Sequence, residues 1–541
     1  MFNVGTDILQ YGGTRGGTGA ARSRLQIIYG LFVIAIIIFI ARTLFLGIEG
    51  TDRTRTGVGN NSWGATRADI VDRNGDILAK NITSGHITLR PQKIADFDFA
   101  ANTIHNIIPE ISVADALNSI RGGRKFVYLK KYASDEQRAA VKASRIEGFE
   151  VEETERRLYP KRRLMSHIVG FVGNDLHGLE GIERTRDKYL SENSGALALS
   201  IDSRVQSVFY RELSGAMHKF GARAAMGMLM NSRTGEMIAM LSLPDFDPED
   251  RNADSIQNRM FYPIRGVYEM GSVYKIFNTA MAIENGITKK YFVDEPYKIP
   301  DKFGRTATTI RDVQSLKKTT KLHPYMTPDE IMLYSCNVGS VQIARDLPSD
   351  AQPEFFERVN LDKPLSLEFG RTERPGMPRK WGPVERATVS FGHGISATPM
   401  HVLLAVNSVV TGFYVSPTIL KRPVGKIYGR RVVSPEVSDE IRKIMLRISE
   451  VSGGKSARVA GINIGGKTAT AEKRVGGKID RSRNLTSFTA VFPIESPQYI
   501  MMVVLDEPQG IKETWGLRTA SMNAAPTAGA IMDGIMPLLF Q

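Results

Sequence analysis

Three short patterns in the second half of the chain carry side chains that could do covalent chemistry. They are Ser272-Val273-Tyr274-Lys275, Ser335-Cys336-Asn337 and Lys467-Thr468-Ala469-Thr470. On a helix, residues three apart share a face, so Ser272 and Lys275 are neighbours there. A serine hydroxyl is a poor nucleophile until a neighbour takes its proton. Lys275 can do so only when neutral, and both burial and a second cation lower a lysine pKa. Lys467 is a candidate for that second cation. Ser335 supplies a hydroxyl able to pass a proton to a leaving group. Asn337 supplies an amide that can hold Lys275 and a substrate carbonyl. Lys467, Thr468, Ala469 and Thr470 read as an edge strand whose charge and hydroxyls suit a substrate carboxylate. A backbone N–H of that strand can join that of Ser272 in an oxyanion hole.

Each pattern has a plainer reading alone. S-x-x-K and S-x-N recur by chance, Ser335 can be a helix cap, and GGKTATAEK can be an exposed turn and strand. The three in this order, the first behind a glycine and ahead of an apolar helix, point instead to one acyl-transfer site.

The elements that must position these groups are readable in outline. A helical pattern, KIFNTAMAIENGI, follows Ser272 and puts the serine at a helix N-terminus, where free N–H groups favour negative charge. Strands are predicted over 196–201, 224–230 and 236–242, with a turn at 232–235. Further strands are predicted at 485–492 and 499–505, and a final helix at 525–539. Strands, helices and strands again imply an α+β domain whose sheet uses both ends of this half. Upstream, alternating apolar residues flank Asn74-Gly75, a strong hairpin signal. Residues from about 91 to 150 mix helical patterns and polar turns.

Leu25 to Ile48 is almost wholly apolar and long enough to span roughly 30 Å of hydrocarbon. Arg15, Arg22 and Arg24 precede it, so its N-terminal side is expected inside and the rest exported. A buried core helix and a cleaved signal peptide are the competing readings, and no A-x-A site follows the run. The glycine-rich stretch before it lacks the G-K-[ST] ending of a phosphate loop. The expected organisation is a cytoplasmic tail (1–24), a transmembrane anchor (25–48), a linker (49–66), an N-terminal module (67–220) and a catalytic domain (221–541).

The 541 residues carry a formal charge of +14. That balance fits an anionic membrane or polymer as well as nucleic acid. No zinc-finger spacing, RNA-binding aromatic signature or long basic run supports nucleic acid. The single cysteine, Cys336, allows no internal disulfide and leaves the compartment open.

Longer stretches resemble one family. RADIVDRNGDILA (67–79), Arg157-Leu158-Tyr159-Pro160 and Gly178-Leu179-Glu180-Gly181-Ile182-Glu183 resemble three motifs of an N-terminal module. NSRTGEMIAMLSLPDFDP, YEMGSVYKIFN, SCNVGSVQIA, FGHGISATPMHVLLA and SFTAVFPIESP resemble stretches of the domain that follows it. Together they are similar to the class B penicillin-binding proteins. The resemblance implies an elongated pedestal and a five-stranded antiparallel sheet flanked by helices, with the serine on a buried helix. It implies attack on the penultimate D-Ala carbonyl of a peptidoglycan stem peptide, release of the terminal D-Ala, and transfer to an amine of a neighbouring stem peptide. β-Lactams should then acylate Ser272. The implied partners are a membrane glycosyltransferase and other division proteins, with no cofactor or metal. Division at the septum is favoured over elongation because no C-terminal repeats follow the catalytic half. An elongation enzyme, a D,D-carboxypeptidase or β-lactamase on the same fold, and a silent scaffold are the alternatives. The family usually has Gly at 469, Pro at 270 and Gly at 68, where this chain has Ala, Met and Ala.

Overall fold

The computed structural model describes residues 29–31, 33–37, 67–250, 252–300, 303–423, 428–476 and 478–540. The chain divides into two units, 1–64 and 65–541. In the first, residues 29–31 and 33–37 are helical. The rest of the expected span, the tail and the linker lie outside the described residues. Among the described residues no helix is long and apolar enough to cross a membrane.

The second unit begins with the expected hairpin. Strand β1 (Ile70–Val71) pairs antiparallel with β2 (Ile77–Leu89), and Gly75 at φ +94° makes the turn. Asp72 holds that turn: its Oδ1 accepts from Asn74 N (2.8 Å) and Asp76 N (2.9 Å). β2 continues beyond the hairpin to pair with β3 (Val127–Lys130) and, along ten residues, with β4 (Phe149–Leu158). Helices over 97–107, 113–121 and 135–144 cover this sheet and bury Ile87, Leu89, Ile104, Ile120 and Phe149. The strand predicted at 196–201 shrinks to β5 (Leu197–Ala198), parallel to β1. Beyond it Leu199 bridges Leu420 and Ser200 N donates to Ile419 O, so the chain is captured by another element.

The three N-terminal motifs meet at one carboxylate. Glu183, 0 % exposed, accepts from Arg67 Nε (2.7 Å) and Arg157 Nε (2.7 Å). Arg157 Nη2 also donates to Ala68 O (2.8 Å). Arg67 spends its other donors on Asp187 Oδ1 (2.7 Å) and Glu183 O (2.9 Å), and Arg157 on Asn81 Oδ1 (3.1 Å) and Arg67 O (3.2 Å), which makes their burial tolerable. Asp72 Oδ2 accepts from Ser203 N (3.0 Å) at the start of helix α1 (Ser203–Lys219), tying the hairpin turn to that helix.

The second half of the chain is built on a five-stranded antiparallel sheet. Its strands are β6 (Ala224–Asn231), β7 (Met237–Leu243), β8 (Gly465–Val475), β9 (Lys478–Phe492) and β10 (Tyr499–Asp506), and they lie in the order β8-β9-β10-β6-β7. β10 shows why the central strands read as continuous apolar runs. Ile500, Met502 and Val504 face one core, and Met501, Val503 and Leu505 face another. α1 and the terminal helix α5 (Ala524–Leu539) cover the second face. The first face packs on a helical lobe containing α2 (Tyr274–Glu284), α3 (Pro328–Tyr334) and α4 (Asn337–Asp346). α2 is buried from Tyr274 through Ala282, which only an element surrounded on all sides can be. β8 lies at the sheet edge, as the sequence predicts for Lys467 to Thr470.

Candidate active site

Ser272 sits in a short 3₁₀ turn, Gly271–Val273, that feeds directly into α2. Gly271 has φ +58°, and a Cβ there would stand 3.2 Å from Thr470 O and Ala471 Cβ on the edge strand. Glycine favours both the positive φ and so tight an approach. A second glycine closes the other side. At Gly392 (φ +85°) a Cβ would fall 2.1 Å from Gly271 O. The segment around it is tied back by reciprocal bonds between Tyr268 and Ala397 (3.0 and 2.9 Å).

Lys275 is 1 % exposed, and its Nζ lies 2.8 Å from Ser272 Oγ, 2.6 Å from Asn337 Oδ1 and 2.9 Å from Ser335 O. Ser335 Oγ is 3.3 Å away. Lys467, 2 % exposed, reaches the same hydroxyl from the opposite side, Nζ to Ser335 Oγ 3.1 Å, and also donates to Thr468 O (3.0 Å). Ser335 therefore stands between two amines. It holds that place by an unusual backbone: φ +62° at the end of α3, a left-handed serine that turns its carbonyl toward Lys275. Asn337 then opens α4.

Burial dominates the electrostatics. It brings Lys275 down to about 8, with the Asp312 carboxylate pulling the other way. It brings Lys467 down to about 7, helped by the positive charge of Lys275. The sequence offered Lys467 as the cation that depresses Lys275. In the folded site desolvation is the main cause for both, and the repulsion bears on Lys467.

The structure thus joins Ser272, Lys275, Ser335, Asn337 and Lys467 in one hydrogen-bonded cluster. The other three predicted residues lie on the adjoining edge strand. Thr470 Oγ1 accepts from Ala520 N (3.0 Å). Ala469, 3 % exposed, lies between Lys467 and Ala471 on the strand face turned to the Gly271–Val273 turn, so its methyl sits in the core under the site.

A family model for the penicillin binding protein transpeptidase domain matches residues 225–533, and one for the penicillin-binding protein dimerisation domain matches 62–208. The chain belongs to the class B penicillin-binding proteins.

Among the relatives of this class B protein is the probable peptidoglycan D,D-transpeptidase FtsI of Caulobacter vibrioides. It is 32 % identical over 492 residues, covering 87 % of this chain and 81 % of the relative. The peptidoglycan D,D-transpeptidase FtsI of Escherichia coli K12 is 26 % identical over 95 % of this chain and 91 % of its own length. Stage V sporulation protein D of Bacillus subtilis is 27 % identical over 96 % and 86 %. A crystal structure of a peptidoglycan synthetase from Bifidobacterium adolescentis shares the fold, with a TM-score of 0.65 over 88 % of this chain and 95 % of that one, at 19 % identity.

Sequence reasoning missed Asp312. It follows the strand Thr306–Ile310 and contacts both Cys336 and Asn337 from 24 residues away or more. No motif marks it, and its partners are a backbone N–H and a thiol, neither of which leaves a signature at a fixed spacing. Gly392 was visible only as part of a resembling stretch, without its contact to Gly271.

Proposed function

We propose that this protein is a peptidoglycan D,D-transpeptidase acting through a Ser272 acyl-enzyme. The observation that carries the reading is the Lys275 amine, buried and 2.8 Å from Ser272 Oγ. In this reading neutral Lys275 accepts the hydroxyl proton as Ser272 Oγ attacks the penultimate D-Ala carbonyl. The carbonyl π pair becomes an oxyanion facing the N–H groups of the Ser272 turn and the β8 edge. Collapse breaks the peptide bond, and the terminal D-Ala amine leaves with a proton passed from Lys275 through Ser335. An acceptor amine then attacks the ester, gives up a proton along the same path, and Ser272 regains its hydroxyl hydrogen. Lys467 and the hydroxyls of Thr468 and Thr470 hold the substrate carboxylate, and Ala469 tunes the fit of that strand. Asn337 orients Lys275 and the substrate carbonyl.

Residues 67–220 serve in this reading as the pedestal and 221–541 as the catalytic domain. Leu25 to Ile48 is a single-pass anchor in the cytoplasmic membrane, with the N-terminus inside and the catalytic domain outside. Residues 1–24 form the cytoplasmic tail and 49–66 the linker. The names of the FtsI relatives support work at the division septum, and a membrane glycosyltransferase beside it is what the family resemblance implies. A donor stem peptide incubated with a D-amino-acid acceptor tests the reading. Exchange of the terminal D-Ala for the acceptor is expected. Hydrolysis alone would make the protein a carboxypeptidase, and no turnover with no β-lactam adduct would make it a scaffold.

A further inference from the structure

Asp312 carries an inference that rests on this transpeptidase reading and deepens it. Its Oδ1 accepts the Asn337 backbone N–H, and its Oδ2 accepts the Cys336 thiol hydrogen, Sγ to O 3.1 Å. The preceding carbonyl, Arg311 O, lies 3.4 Å from Asn337 Nδ2. Two consecutive residues of one loop therefore grip Asn337 by its main chain and by its amide. That grip fixes the rotamer in which Asn337 Oδ1 lies 2.6 Å from Lys275 Nζ. The Asn337 N–H is among the first of α4, which find no acceptor within the helix. Cys336 Sγ serves a second, that of Gly339 (3.2 Å). A carboxylate is the strongest acceptor for such a group and complements the positive end of the helix. The same residues hold the left-handed Ser335 turn, because Ser335 is flanked by α3 on one side and by the anchored Cys336 and Asn337 on the other.

The negative charge matters apart from the hydrogen bonds. Several titratable groups face the Lys275 amine. Asp312 approaches from the loop after the strand 306–310, and Lys467 from the edge strand. His393 approaches from the glycine loop, itself under the influence of Glu269 and Glu472. Cys336 faces it as a thiol, since burial and Asp312 both push its pKa up. Asp312 is the carboxylate among these whose field favours the charged form of Lys275.

We propose that Asp312 is a positioning residue for acylation, anchoring the Ser335–Asn337 turn and setting how readily the Lys275 amine gives up its proton. Asp312→Asn keeps an acceptor for Asn337 and removes the charge, while Asp312→Ala removes both. The test is the pH profile of acylation of the full-length protein by a fluorescent penicillin, with thermal melting to compare the folds. Labelled wild type and unlabelled Ser272→Ala would first establish the acyl-enzyme; an unlabelled wild type would sink the transpeptidase reading rather than this one. In Asp312→Asn the midpoint of the rising limb should fall by about one pH unit, as for a lost nearby opposite charge. The plateau rate of Asp312→Asn should stay within about threefold of wild type, while Asp312→Ala should lose about tenfold or more. Should Asp312→Ala not fold, the midpoint of Asp312→Asn decides alone. A midpoint in Asp312→Asn that stays in place or rises would overturn the proposal.

Discussion

The depressed pKa of Lys275 makes a quantitative prediction for the rate of acylation. If the neutral amine accepts the Ser272 proton, the rate should follow its neutral fraction. With a pKa brought by burial to about 8, roughly one amine in a hundred is neutral at pH 6 and roughly one in two at pH 8. The second-order rate constant for a fluorescent penicillin should therefore rise roughly fiftyfold between those values and level off above pH 9. An ordinary lysine near 10.4 would instead keep climbing to about pH 10. Lys467, at about 7, shares Ser335 with Lys275. The limb belongs to the pair and will be broader than one titration. The assay is stopped-flow or quenched labelling from pH 5.5 to 9.5 at constant ionic strength. A rate that is flat between pH 6 and 8, or one still climbing about tenfold per pH unit at pH 9.5, would refute the assignment of Lys275 as the proton acceptor.

Other changes test other parts of the account. Lys467→Ala removes the ammonium that a bound carboxylate would hold in its charged form. Affinity for a carboxylate-bearing β-lactam should fall about 10- to 100-fold, the worth of one charge-assisted hydrogen bond, as read from the concentration dependence of acylation. Gly392→Ala forces a methyl against Gly271 O and should slow acylation at least about tenfold through misplacement of the serine, with a lower melting temperature. Glu183→Ala takes from Arg157 its buried carboxylate and leaves Arg67 with Asp187 alone, and should cost about 3–5 kcal/mol, measured by denaturant unfolding. A change below about 1 kcal/mol there would mean that the three N-terminal motifs are held together by something else.

What was readable in the sequence follows physical lines. Lys275 lies one turn from Ser272, so helical spacing alone put them together. The strand β10 was visible because both its faces are covered, which leaves an unbroken apolar run. The hairpin at Gly75 was visible because its turn demands a positive φ. β4 was not read as a strand: one of its faces is wet, and FEVEETERRL is mostly charge, so its partner β2 reveals it and its own composition does not. The strand expected at 196–201 lost most of its length to pairing with residues near 419, a long-range contact with no local signal. In the candidate site Ser272, Lys275, Ser335, Asn337 and Lys467 were legible as motifs, and the structure brings their side chains together. The left-handed Ser335, the Asp312 anchor and the Gly392 contact were not. Each depends on two segments meeting, and periodicity along one segment does not encode that. The relative strength of burial and repulsion on the two lysines likewise needed the packed core.

The central claim is that the alcohol of Ser272 becomes the acyl carrier. Its most direct test is intact-mass and peptide mapping after exposure to penicillin. One penicilloyl group per chain is expected, on the peptide containing Ser272, absent in Ser272→Ala and strongly slowed in Lys275→Ala. An adduct on any other residue, or none on the folded wild-type protein, would contradict the account.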